Sequence, residues 1–539
     1  MFNKISRLDR LSLWGTGLKA GLAAIAAAVM FTTLSPASAQ QPTDAPPVAE
    51  TPAVAPDAAA PAVEAVEAVE AVEAVEAAPE EAAPAEEEAA PSWPPPDKGD
   101  TTWMLVSTVL VLLMIVPGLA LFYGGLVRTK NMLSMLMQVT TVTVIGMIAW
   151  CLWGYSLSFT TGPAELDNFI GGTSKLFLKD VGPASVVETF SVGVYIPELV
   201  FVAFQMTFAC ITAALVLGGV AERLKFAGVV IFAVLWPLLS YYPMAHMVWW
   251  WAGATSAIGQ TGVELADGAG QIWAWGALDF AGGTVVHINA GIAALMGAII
   301  LGPRLGYKQS PMAPHSLVLT YVGAGLLWVG WFGFNAGSNL EANGYAALAM
   351  INTLLATAAA GLSWVIVEWA LRRRPSMLGA ASGIVAGLVA ITPAAGFAGP
   401  VGAIVLGLIV SPVCVIFCSV IKNALKYDDS LDAFGIHAIG GIIGAIGTGI
   451  LVSPDLGGAG IVDFSTCDAA TATCGALAYD MTSQVTWQAQ GVGLTVVWSA
   501  IASSIVWFIV KLTTGGRVSQ EVEEEGIDIN EHGEAAYHP

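Results

Sequence analysis

The chain has 539 residues, of which 56% are hydrophobic and 11% charged, with a formal net charge of −21. Apolar runs of membrane-crossing length recur through residues 102–512, which excludes a water-soluble globular domain. The acidity names no ligand: residues 40–97 hold fourteen Asp or Glu with no Lys or Arg, and the tail from Glu521 adds seven more acids, so the charge belongs to two solvated ends and no nucleic-acid partner is expected.

The N-terminus reads as an export signal over residues 1–39. Lys4, Arg7, Arg10 and Lys19 form a basic start, Gly21 to Phe31 a short apolar core, and Ala37-Ser38-Ala39 a cleavage site. An additional membrane helix is the alternative, but the apolar core is short for one. Residues 40–97 form an Ala/Pro/Glu linker with a Val-Glu-Ala repeat at 63–77. Glu at every third position makes no apolar stripe, so an extended or partly helical extracytoplasmic tether is expected.

Eleven spans follow, at about 102–127, 132–159, 195–220, 226–250, 274–302, 316–338, 345–371, 377–396, 400–422, 433–453 and 487–512. The first, third, fifth, seventh and ninth loops carry Arg128/Lys130, Arg223/Lys225, Arg304/Lys308, Arg372/Arg373/Arg374 and Lys422/Lys426, whereas the even-numbered loops carry only Lys175 and Lys179. The positive-inside rule makes the basic loops cytoplasmic, with the mature N-terminus outside and the C-terminus inside. The expected fold is therefore an all-α, multi-pass protein: a membrane domain over 98–514, and a cytoplasmic tail over 515–539. Cys467 and Cys474 share a loop on the extracytoplasmic side, where a disulfide is the expected state rather than a metal site.

Two of the spans contain matching histidines. One reads Asp279-Phe-Ala-Gly-Gly-Thr-Val-Val-His287-Ile-Asn and the other Asp432-Ala-Phe-Gly-Ile-His437; aligned on the histidines, Gly291 meets Gly441 and Gly297 meets Gly447. A polar group in hydrocarbon is costly, so an ionisable residue within a span marks a functional site. A matched pair in spans of opposite direction points to inverted repeats, spans one to five and six to ten, with the site between them. Each histidine alone could simply bond a neighbouring helix; as a pair, the rings could share a proton and face a small neutral molecule. No metal or cofactor is expected, since two histidines without further ligands make a poor metal site.

The aromatics leave a choice open. Phe204 and Phe208 share one helical face, and Phe334 and Ser338 lie in Trp331-Phe-Gly-Phe-Asn-Ala-Gly-Ser338. Trp249, Trp250 and Trp251 suit an interfacial belt or a cage for a small cation. Asp279 precedes His287 by eight residues, about 12 Å on a continuous helix. It could cap a helix, serve as a hydrogen-bond hub or attract a cation.

These motifs, with Phe204-Gln-Met-Thr-Phe208, Ala-Glu222-Arg223 and Ala-His246-Met-Val-Trp249, are similar to those of the ammonium transporter family, over about residues 100–539. The resemblance implies a homotrimer with one pore per subunit in the cell inner membrane, carrying ammonium or its analogue methylammonium and assisting no chemical conversion. It implies a substrate site of Phe208, Trp249 and Ser338, a gate of Phe208 and Phe334, pore histidines His287 and His437, and support from Asp279 and Phe204. It also implies that a PII-type signalling protein docks on the tail, where Glu525, Gly526, Asp528, His532, Gly533, Glu534 and Tyr537 keep the family pattern. The long tether and the cysteine-bearing outer loop depart from that pattern. An ammonium sensor, a haem-ligating histidine pair and an Rh-type gas channel are the rival readings. The short tail, the lack of other haem features and the Trp249/Ser338 pair respectively count against them.

Overall fold

The computed structural model describes residues 95–260 and 262–537; the expected signal at 1–39 and all but the end of the 40–97 linker lie outside the described residues. Among the described residues, eleven helices are long and apolar enough to cross a membrane. They are α1 Lys98–Leu126, α2 Thr129–Phe159, α3 Glu198–Val220, α4 Phe226–Trp249, α5 Gly283–Leu301, α6 Leu317–Gly337, α7 Gly344–Arg372, α8 Met377–Ala394, α9 Pro400–Leu425, α10 Phe434–Leu451 and α11 Met481–Thr514. Helices satisfy their own backbone in hydrocarbon, which is why an apolar chain of this length resolves into them.

Polar caps set where several of them start. Asp97, Ser316, Asn343, Ser376 and Asp480 each accept a backbone N–H from the first turn of α1, α6, α7, α8 and α11. Two ends differ from the hydropathy reading. The fifth helix starts at Gly283 rather than near 274, because residues 275–282, apolar apart from Asp279, are non-helical, turning through Gly276 (φ 82°) and Gly282 (φ 108°). The eleventh starts at Met481, six residues early, because the Asp480 cap adds a polar first turn that hydropathy misses.

The two five-helix halves meet along α1 and α6. A Cβ on Gly323 would lie 2.3 Å from the Phe122 nitrogen, and one on Gly330 2.5 Å from the Leu110 carbonyl, so only glycine permits this approach. The eleventh helix braces both halves. The Gln488 side chain donates to the carbonyls of Leu278 (2.8 Å) and Ala445 (2.7 Å), and Ser499 and Ser240 both donate to the side-chain Oδ1 of Asn289. Val401, Leu408, Ile409 and Val420 of α9 remain exposed, as a lipid-facing surface requires.

Two short hairpins lie on the face opposite the basic loops: β1 Val186–Glu188 with β2 Tyr195–Pro197, and β3 Val462–Asp468 with β4 Thr473–Ala476. The Cys467–Cys474 disulfide closes the second, and its Phe464 ring lies 4.7 Å from Trp251.

On the basic face, buried ion pairs join the loops. Glu222 accepts from Arg128 (3.0 Å), Arg304 (2.7 Å) and Asn131 (2.9 Å), and Arg304 also pairs with Asp428 (2.9 Å). The tail folds back across this network. Arg517 pairs with Glu523 (2.6 Å), Val518 donates to the Arg223 carbonyl, and Ile527 donates to Asn131 (3.0 Å). Burial alone would raise the Glu222 carboxyl, but the guanidiniums of Arg304 and Arg128 overcome it and hold it at about 2, below its ordinary 4.5. A depressed folded value means that the stabilisation is complete above the ordinary value and is lost as pH falls toward the folded one. Glu222→Gln should cost about 3–5 kcal/mol, as when one partner of a buried pair is removed. The checks are a lower unfolding temperature in detergent and the disappearance of the wild-type loss of stability between pH 4.5 and about 2.

Candidate functional site

The site is built from the starts of α5 and α10. A helix start leaves backbone N–H groups without partners, and here a carboxylate takes them. Asp279 accepts from the N–H groups of Gly282 (2.9 Å), Gly283 (2.6 Å) and Thr284 (2.8 Å) and from the Thr284 hydroxyl. Asp429 does the same for α10, accepting from Ala433 (3.0 Å), Phe434 (2.9 Å) and Gly435 (3.4 Å). Each aspartate precedes its histidine by eight residues, and the residue three after each has positive φ: Gly282 at 108° and Asp432 at 60°. Asp279 is thus the helix cap among the three roles the sequence allowed, and Asp429 is its repeat mate. Sequence reasoning missed Asp429; its signal was the identical spacing to His437. Asp432, which opens the second motif, instead pairs with Lys422 (2.7 Å).

Both helices begin with wide π-type turns, Gly283–Ile288 and Phe434–Ala438, that hold the histidines inward. His287 and His437 are buried, their rings stacked at 5.3 Å with the two Nδ1 atoms 3.3 Å apart. At that contact one Nδ1 donates and the other accepts, so the two neutral rings take opposite tautomers. The backbones come this close because of the paired glycines one turn beyond each histidine. A Cβ on Gly291 would sit 2.4 Å from the Ala438 nitrogen, and one on Gly441 2.9 Å from the Gly283 carbonyl oxygen and 3.2 Å from the His287 Cβ.

The aromatics continue the line. Phe208 and Phe334 stack with centroids 4.1 Å apart and planes at 16°, and Phe334 lies 6.1 Å from His287. Phe204, fully buried, packs on Phe208 at 4.9 Å. Trp249 meets Phe208 edge-on at 5.9 Å and donates its indole N–H to the Asp279 carbonyl (3.0 Å). Its two neighbours turn elsewhere: Trp250 stacks on His246, and Trp251 on Trp273. Ser338, at the end of α6, donates to the Phe334 carbonyl (2.8 Å), which leaves its oxygen lone pairs free to accept. Trp331, quoted in the motif but given no role there, stacks on His287 at 5.4 Å and anchors its N–H on Thr392. A narrow cavity runs beside the histidines, walled by Ile211, Leu215, Val286, Leu327 and Trp331. Its lining, apart from the imidazoles, cannot replace a cation's hydration.

The tail residues lie apart from this line, on the basic face. Asp528 caps α2 residues, accepting from Leu133 (2.9 Å) and Ser134 (2.7 Å). Gly526 (φ 130°) crosses Lys130 where a side chain would not fit, and Glu525 accepts from Asn530. His532 packs on Phe226 at 5.1 Å, Gly533 (φ 70°) turns the chain, and the Glu534 N–H donates to the Asp528 carbonyl. Tyr537 reaches His315 (3.2 Å).

The glycine geometry predicts unequal effects. Gly291→Ala meets the Ala438 backbone at 2.4 Å and should cost about 1–3 kcal/mol and most of the uptake of substrate; Gly441→Ala meets the Gly283 carbonyl oxygen at 2.9 Å, a smaller overlap, and should be milder. Thermal unfolding and uptake measured on the same preparations check the order.

Residues 102–537 match the Ammonium Transporter Family. An ammonium transporter of Aquifex aeolicus is 42% identical over 441 residues, 82% of this chain and 94% of that protein. One of Bacillus subtilis is 42% identical over 441 residues, 81% of this chain and 98% of that protein. Among solved structures, Saccharomyces cerevisiae Mep2 is similar with a TM-score of 0.66 at 30% identity, covering 79% of this chain and 91% of that one. A structure titled Sensor Amt Protein gives a TM-score of 0.67 at 27% identity, covering 80% and 98%.

Proposed function

The chain belongs to the ammonium transporter family and serves as a multi-pass membrane transporter of ammonium, not an enzyme; from that premise we propose how its residues carry the substrate. Ammonium is recruited from outside at Trp249 and Phe208, whose ring faces attract a cation, with Ser338 as acceptor for one N–H. It gives up a proton to water on the outer side, before or at the Phe208/Phe334 gate, and ammonia, with or without separate inward passage of that proton, then passes along His287 and His437 to the cytoplasm.

The observation that carries this reading is the unbroken file of rings from Trp249 through Phe208 and Phe334 to His287 and His437. Energetics chooses the carried species. Burying a bare cation in an apolar passage costs far more than the roughly 0.5–2 kcal/mol that a ring face returns. Deprotonation removes that cost, and the imidazole pair offers hydrogen bonds to the neutral molecule. Potassium has no proton to lose and is excluded by the same logic.

The basic loops orient the protein with the Arg304 face in the cytoplasm of an inner-membrane location. Three copies form a homotrimer with one pore each. The export signal at 1–39 is cleaved, the 40–97 segment is a spacer, and residues 515–539 form the regulatory tail on which a PII-type protein closes the inner mouths.

Currents on solid-supported membranes of proteoliposomes test the substrate. A current with ammonium pulses and none with potassium would show that the released proton also moves inward; uptake of labelled methylammonium without current would mean net ammonia passage, and silence in both assays would overturn the reading. His287→Ala and His437→Ala should each reduce methylammonium uptake or its selectivity over potassium, and wild-type behaviour in both variants would remove the histidines from the mechanism. Deleting 521–539 should abolish co-purification of a PII-type protein while leaving the membrane domain folded.

A further inference from the structure

The Ala-His246-Met-Val-Trp249 motif contains a histidine that the proposed pathway does not use. His246 is fully buried at the Trp249 end of α4. Both of its ring nitrogens face backbone carbonyl oxygens: Nδ1 lies 3.1 Å from the Ser158 oxygen and Nε2 2.5 Å from the Asp167 oxygen. A carbonyl oxygen can only accept. A neutral imidazole has one N–H, so either neutral tautomer would aim a lone pair at a carbonyl lone pair within hydrogen-bond distance. Only the doubly protonated ring satisfies both contacts. We infer that His246 is held as an imidazolium clamp that ties the end of α4 to the end of α2 and the loop after it, and thereby positions Trp249.

The surroundings fit a cation. Burial penalises the charge, and the two carbonyl dipoles, the Trp250 ring stacked 5.8 Å away at 19° and the nearby Asp167 carboxylate act against that penalty, so the contact geometry at the two ring nitrogens carries the inference. Asp167 is the charged group in electrostatic reach of the ring. The adjoining Asp279 carboxylate is spent on the α5 amides. The titratable groups on the packed elements are Tyr155, bonded to Glu198, together with Tyr241, Tyr242 and His287. The lever arm is short. The Trp250 N–H donates to the His246 carbonyl, the Trp250 carbonyl accepts from Gly270, and Trp249 lies one turn from His246 on α4. Loss of the second ring proton would set a lone pair against Ser158 or Asp167 and free the helix end that carries Trp249. His246 is a positioning residue, and its effect on uptake rests on the proposed recruitment role of Trp249.

The test has two arms on the full-length protein. Methylammonium uptake by proteoliposomes is followed as the outside pH rises from about 5 to about 8, across the ordinary histidine range. The wild-type KM should rise several-fold with little change in maximal rate, and His246→Gln should show a raised KM that no longer depends on pH. A His246→Gln profile that matches the wild type, or a wild-type KM that falls as pH rises, overturns the positioning role. The second arm needs no transport. In 15N-histidine-labelled protein in lipid, with His246 assigned by difference from His246→Gln, both ring nitrogens should be protonated at about pH 5, below the ordinary histidine value. One bare ring nitrogen there overturns the clamp itself, whatever becomes of the recruitment site.

Discussion

Two carboxylates hold the paired histidines together. Asp279 and Asp429 each take three or more donors at the start of a helix, and those two helices carry the facing histidines. A helix that starts inside an apolar body must find partners for its first N–H groups, because nothing in hydrocarbon supplies them. Supplying them from one side chain fixes the direction of the helix and the rotation of its first turns. The His287 and His437 rings inherit that rotation, so their contact is set eight residues away from the caps.

Once the two starts are fixed, small residues let the helices close. Gly291 and Gly441 bring each histidine helix onto the other, while Gly323 and Gly330 close α1 on α6. The resulting cavity is narrow and mostly apolar, and Phe334, which lines it, stacks on Phe208. Narrowness and the apolar wall act in one direction: they favour a small neutral solute and penalise a retained charge. Trp331 supports the arrangement from behind, with its ring against His287 and its N–H anchored on Thr392.

The two faces are tied down by different chemistry. On the basic face, Arg304 bridges Glu222 and Asp428, so the loops before α4, before α6 and before α10 move together or not at all. The tail joins the same network through Glu523 and through Asn131, which bonds both Glu222 and the Ile527 N–H. A partner that pulled on the tail would therefore act on the loops of the basic face. On the opposite face one ion pair, Lys175 with Glu198, joins ties made by backbone carbonyls and rings: His246 on Ser158 and Asp167, and Trp251 on the disulfide-closed hairpin.

Much of this was legible in the chain because hydrophobicity, charge alternation and local motifs are local properties. The eleven spans, the basic loops and the histidine pair follow from apolar length, the cost of polar groups in lipid and a repeat visible by eye. The choice of Trp249 over Trp250 and Trp251 was not fixed by sequence, since three adjacent residues point in three directions along a helix end; only folding sent one of them to Phe208. The true start of α5 was hidden because the apolar residues before Gly283 count toward hydropathy whether or not they are helical. Asp429 was hidden for a related reason: a cap is defined by which N–H groups its oxygens reach, and Asp432 stood nearer to the motif. The chain by itself determined how many helices form, which residues are dear to bury and which pairs repeat. The tertiary structure alone decided which of those residues touch, because contact between α5 and α10, separated by 150 residues at their histidines, depends on helix starts and close approaches that no local pattern records.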